Sequence, residues 1–405
     1  MTTAALEPTL HPSATREPLT FAPWPYFASD EIEAVASVLR SGKVNYWTGA
    51  EGRQFEDEFA ASVGTRYGVC LANGTLALEL ALQALDVGPG DEVITTSRSF
   101  IASASSAVLR GARPVWVDVD RDSQNMTAET IRPALTPRTR AIIAVHLGGW
   151  PCDMDPILDL AAEHGIKVVE DCAQAHGASY KGRSVGSLGH LAAFSFCQDK
   201  ILTTGGEGGM VTTSDAALWN RVWSYKDHGK SYDAVFRRPH PPGFRWLHDS
   251  FGTNARLTEM QSALGRVILP KLAAWVAVRR KHARALSAFF HQIPALRVTG
   301  PPPGIGHSYY KYYVFLRPER LRPGWTRDRI MNEIAARGVP CFSGSCSEIY
   351  QERAFAGSMR PARPLPVARE LGETSLMFLV HPTLSAPHIE RTGEVVDSVM
   401  RVASV

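Results

Sequence analysis

Residues 67–120 read YGVCLANGTLALELALQALDVGPGDEVITTSRSFIASASSAVLRGARPVWVDVD. Three short apolar runs, YGVCLA, EVITTS and RPVWVDVD, alternate here with two helical patterns, TLALELALQAL and FIASASSAVLRG. Strands that alternate with helices of about ten residues imply right-handed βαβ crossovers and a mainly parallel sheet. The pattern continues through AIIAVHL, the helix DPILDLAAEHG, IKVVED, LAAFSFC and GGMVTTS. Apolar runs of this kind suit strands covered on both faces.

Outward from this block, DEIEAVASVLRSG from Asp30 has an acidic first turn, helical apolar spacing and a Gly stop, so it predicts a helix, and a second is expected over Gln54–Val63. Helices are also expected around Leu257–Val267, over Leu272–Phe290, at RDRIMNEIAARG and after Pro387. PPPGIG at 301–306 is a turn-rich junction. Residues 225–252, rich in His, Pro, Arg and aromatics, show no period, and loops of that length are usually functional or disordered. Residues 1–20, rich in Pro, Thr and Ser, read as a mobile extension.

At 405 residues the chain is long enough for two domains of ordinary size. Its 44% apolar and 20% charged residues exclude a disordered or fibrous chain. Against 40 acidic residues, 43 basic ones leave a net charge of +3, too little for a global field that would hold nucleic acid or an anionic membrane. Anionic ligands must therefore be met by local groups. Without a long apolar run or a leader-like start, the expected location is cytoplasmic. The six cysteines show no CxxC or CxxH spacing, so neither a zinc site nor a disulfide framework is expected.

Three motifs carry chemistry. In LANGTLALEL a strand ends at Asn73-Gly74-Thr75 and a helix starts at once, the arrangement in which free backbone N–H groups receive a phosphate; an ordinary capped turn has the same pattern. In VVEDCAQAHG, Asp171 stands at the end of a buried strand, where open α/β sheets bind ligands, with Gln174 and His176 after it. Asp171 suits a metal, a helix cap or a protonated ring nitrogen, and His176 suits the core. In FSFCQDKILTTGGEGGMV, Ser195 and Lys200 precede a Gly-rich turn, and partial desolvation in a setting with few cations would give the lysine the neutral amine that Schiff-base chemistry needs. Together, Gly74, Thr75, Phe100, Asp171, Gln174, Ser195 and Lys200 supply a phosphate cup, a stacking face, an acid for a pyridinium nitrogen, an amide for a phenolic oxygen and a reactive amine. Pyridoxal 5'-phosphate requires that set.

With ANGTLALELAL, SFIASAS, VHLGGWPCDMD, VVEDCAQAHGA, GHLAAFSFCQDKILTTGGEGGM and GTNARLTEMQSALGRVIL, the chain resembles the DegT/DnrJ/EryC1/StrS aminotransferases over about residues 23–400. The resemblance implies a fold-type I pyridoxal phosphate-dependent α/β transferase, similar to aspartate aminotransferase. A large cofactor-binding domain at 21–290 would be followed by a small α+β domain at 291–405. It implies Lys200 as the lysine bonded to the cofactor, Asp171 on the pyridine nitrogen, Gln174 at the phenolic oxygen, and Phe100 stacked on the ring. Gly74, Thr75 and Ser195 would hold the phosphate, joined by Asn254 from the other subunit of a homodimer with shared sites. An amino donor, glutamate, would leave pyridoxamine phosphate, which then aminates a keto-sugar, most often nucleotide-linked, in polysaccharide or secondary-metabolite biosynthesis.

Tyr310 and Lys311 in HSYYKYYVF, and His146 and Trp150 in VHLGGW, are substrate candidates, the last two with packing as the alternative. The basic and aromatic residues of 225–252 suit a nucleoside diphosphate or a surface or dimer contact. Two features depart from the family pattern: Ile201 follows the lysine where Asn is usual, and TTGGEGG carries an extra Gly. A cyclitol or aminobenzoate-type synthase and a cofactor-binding regulator without turnover are the alternatives.

Overall fold

The computed structural model describes residues 19–243 and 245–405; the extension expected at 1–20 falls, apart from its last two residues, outside them. Among the described residues thirteen strands occur in chain order: β1 (Tyr67–Leu71), β2 (Glu92–Thr96), β3 (Arg113–Val117), β4 (Thr139–Val145), β5 (Lys167–Asp171), β6 (Ser179–Tyr180), β7 (Arg183–Ser184), β8 (Leu191–Ser195), β9 (Gly209–Thr213), β10 (Leu296–Arg297), β11 (Ile305–Gly306), β12 (Tyr312–Leu316) and β13 (Ser375–Phe378). The large sheet has the order β1-β9-β8-β5-β4-β2-β3. Its strands run parallel from β8 to β3, while β9 is antiparallel to both β8 and β1. The expectation of an α/β fold with a mainly parallel sheet therefore holds, with one reversed strand let into the sheet.

Both faces of this sheet are covered, and the alternation of side chains along each strand sorts the core into two layers. Cys70, Ile94, Ile142, Val168, Phe194 and Met210 face one way, onto α2 (Glu51–Val63), preceded in the chain by α1 (Ser29–Ser41). Val69, Val93, Ile143, Val169, Ala193 and Val211 face the other way, onto α3 (Gly74–Ala84) and α4 (Ala102–Leu109). Parity alone thus assigns Asp171 and Ser195 to the α3–α4 side, and His146 and Glu170 to the opposite side.

A helix at Leu272–Phe290, as the sequence predicts, leads to the sheet β10-β12-β13, which packs with helices Arg327–Ala335 and Ala386–Ala403 around Phe290, Val314, Ile334 and Phe378. The segment 225–252 is less irregular than its composition suggests, for it contains a short helix at Tyr232–Phe236. Three of its five basic side chains are committed to carboxylates of the chain. Lys226 is buried on Glu56 at 2.8 Å, Lys230 reaches Asp227 at 3.1 Å, and Arg238 reaches Asp249 at 2.6 Å.

Phe55 anchors the α2 layer against Phe59 and Phe196, with ring centroids 5.8 and 5.4 Å away, and the helix at Glu259–Ile268 crosses it at Gly265, where a Cβ would stand 2.6 Å from the ring. Phe55→Ala should cost about 3–5 kcal/mol by cavity formation. Denaturant unfolding would measure it, and a loss below about 1 kcal/mol would contradict this packing.

Candidate active site

The carboxyl ends of β1, β5 and β8 and the start of the reversed β9 meet at one edge of the large sheet, since Leu71 and Ser195 both pair with Gly209. Here α3 begins directly after β1. Asn73 caps it, its side chain accepting from Leu76 N–H at 2.9 Å and its carbonyl from Ala77 N–H at 3.2 Å. The N–H groups of Gly74 and Thr75, in the first turn, precede any partner within the helix. Ser195 lies against them: a Cβ on Gly74 would stand 2.5 Å from that of Ser195. The Ser195 hydroxyl accepts from Cys197 N–H at 3.4 Å, which leaves its own proton to donate. The Ser195 hydroxyl therefore lies as a donor beside two free amides at the positive end of a helix, a set that fits a phosphate.

Asp171, at the end of β5, is buried. One carboxylate oxygen accepts from Ala173 N–H at 3.1 Å, the other from the Ser103 hydroxyl at 2.7 Å. Burial raises its pKa above the ordinary value, against the opposing pull of Ser103, Ala173 N–H, Lys200 and His146. A buried carboxylate with two donors and, among the described residues, no cation paired to it suits a ring N–H⁺. Gln174 is oriented by Gly148, whose N–H donates to Oε1 at 2.8 Å, so its amide NH₂ remains to donate to a phenolic oxygen.

Lys200 follows β8 in a loop whose carbonyl accepts from the Trp24 indole at 2.8 Å. Its surroundings differ from the expected one. Asp199 lies 3.9 Å from the Lys200 amine and 3.6 Å from that of Lys311, and it accepts from the Tyr310 hydroxyl. The amine stands 4.9 Å from the Tyr310 ring centroid. Burial works against ionisation of Asp199, but Lys200, Tyr310 and Lys311 together hold its pKa below the ordinary value, whereas burial lowers that of Lys311. Tyr310 and Lys311, two sequence candidates, are thus brought to Lys200 through Asp199, which sequence reasoning passed over although it adjoins the lysine. Ile201 is buried among Val276, Tyr310 and Leu272, and the extra Gly of the following turn is absorbed by left-handed conformations at Gly205 and Gly206.

His146 has no exposure, for its ring faces the α2 side: Nε2 is 3.0 Å from Glu170, and Nδ1 accepts from Cys152 N–H at 3.0 Å. No ring nitrogen is left for a substrate, and packing is the role the structure gives it. Glu170 also accepts N–H groups of Gly186, Leu188 and Gly189, so in the grouping His146–Glu170–Cys172 the imidazole and the carboxylate are already engaged. Trp150 is buried against His307, with centroids 5.5 Å apart. His176 packs on Phe194 and Phe196, and burial lowers its pKa to about 3. Phe100, at the turn before α4, is 66% exposed. Asn254 is exposed at the surface, its backbone bridged to Asp227.

A profile of the DegT/DnrJ/EryC1/StrS aminotransferase family matches residues 25–399. The chain belongs to that family. This aminotransferase is 38% identical over 350 residues, 86% of its length and 88% of the relative's, to the UDP-N-acetyl-3-dehydro-alpha-D-glucosamine 3-aminotransferase of Acidithiobacillus ferrooxidans. It is 36% identical over 366 residues, 90% of each chain, to the dTDP-3-amino-3,4,6-trideoxy-alpha-D-glucose transaminase of Streptomyces venezuelae. Among solved structures it is similar to an aminotransferase from Psychrobacter cryohalolentis, with a TM-score of 0.92 and 55% identity over 94% of this chain and 99% of that one. Among the described residues of the aminotransferase, no helix is long and apolar enough to cross a membrane.

Glu170 supports the strand that carries Asp171. Burial raises its pKa, but His146 and the backbone donors outweigh this and hold it below the ordinary 4.5. A carboxylate whose folded-state pKa is depressed stabilises the fold above its unfolded-state pKa, and that contribution is lost as pH falls through the folded value. Glu170→Gln should therefore lower unfolding free energy at pH 7 by about 1–3 kcal/mol, since an amide cannot accept from all of these donors. The difference from wild type should narrow below pH 4.5 in denaturant titrations; a difference independent of pH would contradict the assignment.

Proposed function

We propose that this aminotransferase uses pyridoxal 5'-phosphate to move an amino group from an amino acid, glutamate in the first instance, to a keto-sugar carried on a nucleoside diphosphate. The observation that carries this reading is the meeting, at one sheet edge, of the α3 amides, the Ser195 hydroxyl and the Asp171 carboxylate, on which the charge of Lys200 acts. The two relatives named for UDP- and dTDP-linked sugars support the substrate class.

Gly74, Thr75 and Ser195 hold the phosphate, Asp171 the ring nitrogen, Gln174 the phenolic oxygen, and Phe100 the ring face. Bound there, the cofactor supplies an aldehyde that the Lys200 amine holds and a ring that draws electrons from the reacting carbon. The Lys200 Nζ takes the proton that leaves the α-carbon of the donor and returns one at the carbon of the keto acceptor. Tyr310 and Asp199 hold that amine in a partly enclosed loop, and Lys311 beside them offers a cation to a substrate carboxylate or phosphate. Residues 21–290 and 291–405 act as large and small domains, and the enzyme works as a homodimer in which the partner subunit's Asn254 completes each phosphate site.

Lys200→Ala should abolish the visible absorption of the bound cofactor and slow transamination by about 10²–10⁴-fold; normal turnover would overturn the assignment. Lys200→Ala and Asn254→Asp homodimers should each be impaired, yet mixing them under exchange conditions should restore activity through dimers with one intact site. No rescue would place Asn254 in the site of its own subunit. For the acceptor, UDP-, GDP- and dTDP-linked 3- and 4-keto sugars should include a substrate. Uniform failure beside activity on a cyclitol ketone would overturn the sugar reading.

A further inference from the structure

Asp171 is approached from the small helix α4 by a hydroxyl that no part of the reaction so far uses. Ser103, buried on α4, donates to Asp171 Oδ2 at 2.7 Å, and the Ser99 hydroxyl lies 2.9 Å from the Ser103 oxygen. A serine has one proton to give. Since that of Ser103 is committed to the carboxylate, the Ser99 hydroxyl must be the donor to Ser103, and the pair forms a directional relay from Ser99 through Ser103 to Asp171. The start of the relay is itself fixed: Ser99 N–H donates to the Cys346 carbonyl at 3.1 Å, and Ile349 N–H donates to the Ser97 carbonyl at 3.0 Å. Between these two bonds Arg98 is buried, held by Gln124 at 3.0 Å, the Ser345 carbonyl at 3.3 Å and the Ser347 hydroxyl. The C-terminal segment 345–349 thus clamps the turn that carries Ser99.

We propose that Ser103, oriented by Ser99, is a positioning residue that keeps the Asp171 carboxylate ionised and the proton of the Asp171–pyridine pair on the ring nitrogen. The argument rests on the reading that Asp171 faces that nitrogen. The other groups facing Asp171 are Ala173 N–H at 3.1 Å, Lys200, and His146, whose backbone N–H donates to the Asp171 carbonyl at 3.2 Å. None of these donates a side-chain hydrogen bond to the carboxylate among the described residues. In a buried site the carboxylate needs donors to stay charged. Removing Ser103 leaves Oδ2 as a bare anion that can be relieved only by taking the proton from the ring, which converts an ion pair into a neutral pair. The ring then draws electrons less strongly, and proton removal from the donor slows.

The test uses holoenzyme reconstituted with cofactor labelled with ¹⁵N in the ring, for wild type, Ser103→Ala, Ser103→Thr and Ser99→Ala. The readouts are the ¹⁵N shift of the ring across pH 6 to 9 and the rate of the glutamate half-reaction. Ser103→Ala is expected to move the resonance toward neutral pyridine and to slow the half-reaction about tenfold, as loss of one hydrogen bond to a charged group predicts. Ser103→Thr, which keeps the hydroxyl, should restore both, and Ser99→Ala should shift the resonance in the same direction by less. A Ser103→Ala resonance equal to wild type throughout, or a Ser103→Thr change equal to that of Ser103→Ala, overturns the proposal. If Ser103→Ala does not fold, Ser99→Ala decides, and an unchanged resonance there overturns it. A wild type that fails to bind the cofactor at all would instead count against the reading of Asp171.

Discussion

The site depends on one steric constraint: α3 must start within contact of the end of β8. A Cβ on Gly74 would lie 2.5 Å from Ser195 Cβ, and one on Gly209 would lie 2.4 Å from the Asn73 carbonyl. Two positions without side chains let the helix terminus, β8 and the reversed strand β9 close on each other. The φ of neither is in the left-handed region, so the requirement is for space and not for backbone freedom. With that closure, the two free amides of α3 and the Ser195 hydroxyl lie together, and the parallel β5 beside β8 brings Asp171 to the same edge. A net charge of +3 is consequently no obstacle to binding anions.

Behind this edge several buried carboxylates are matched by donors of the chain itself. On the α2 face Glu170 is enclosed by His146 and three backbone donors. At the far side of the sheet, buried Asp227 receives the Trp47 indole at 2.5 Å, Lys230 at 3.1 Å and Arg256 at 2.5 Å. Glu56 takes Lys226 together with Tyr46 and Cys70 N–H. These two clusters tie 225–252 to β1 and fix the backbone around Asn254, which is bridged to Asp227. Removing one partner of such a pair leaves an uncompensated buried charge, so the loop is held by electrostatics as firmly as by packing.

The alternation of apolar strands with helices was legible because each element carries its own period, and the helix at Leu272–Phe290 is found with the expected bounds. The reversal of β9 was not, since a strand buried on both faces reads the same in either direction. Of the site, Asp171, Ser195, Lys200 and the α3 terminus sit on motifs that are contiguous in sequence. Asp199 and Ser103 act through partners 111 and 68 positions away, and local pattern carries no trace of such contacts. The same limit applies to the basic residues of 225–252, whose composition left an anion site and a surface or dimer contact both open, and of which Lys226 is paired 170 positions away with Glu56. For His146 the needed signal was present: its parity on β4 differs from that of Val145, which puts its ring on the face away from Ser195.

The central claim is that one lysine, set by this edge, bonds the cofactor. Borohydride reduction of the enzyme incubated with pyridoxal 5'-phosphate, followed by peptide mass spectrometry, tests it most directly. The account predicts a phosphopyridoxyl group on Lys200 at close to one per chain and none on neighbouring Lys311. An unmodified Lys200, or a label on Lys311 or spread over surface lysines, would contradict it.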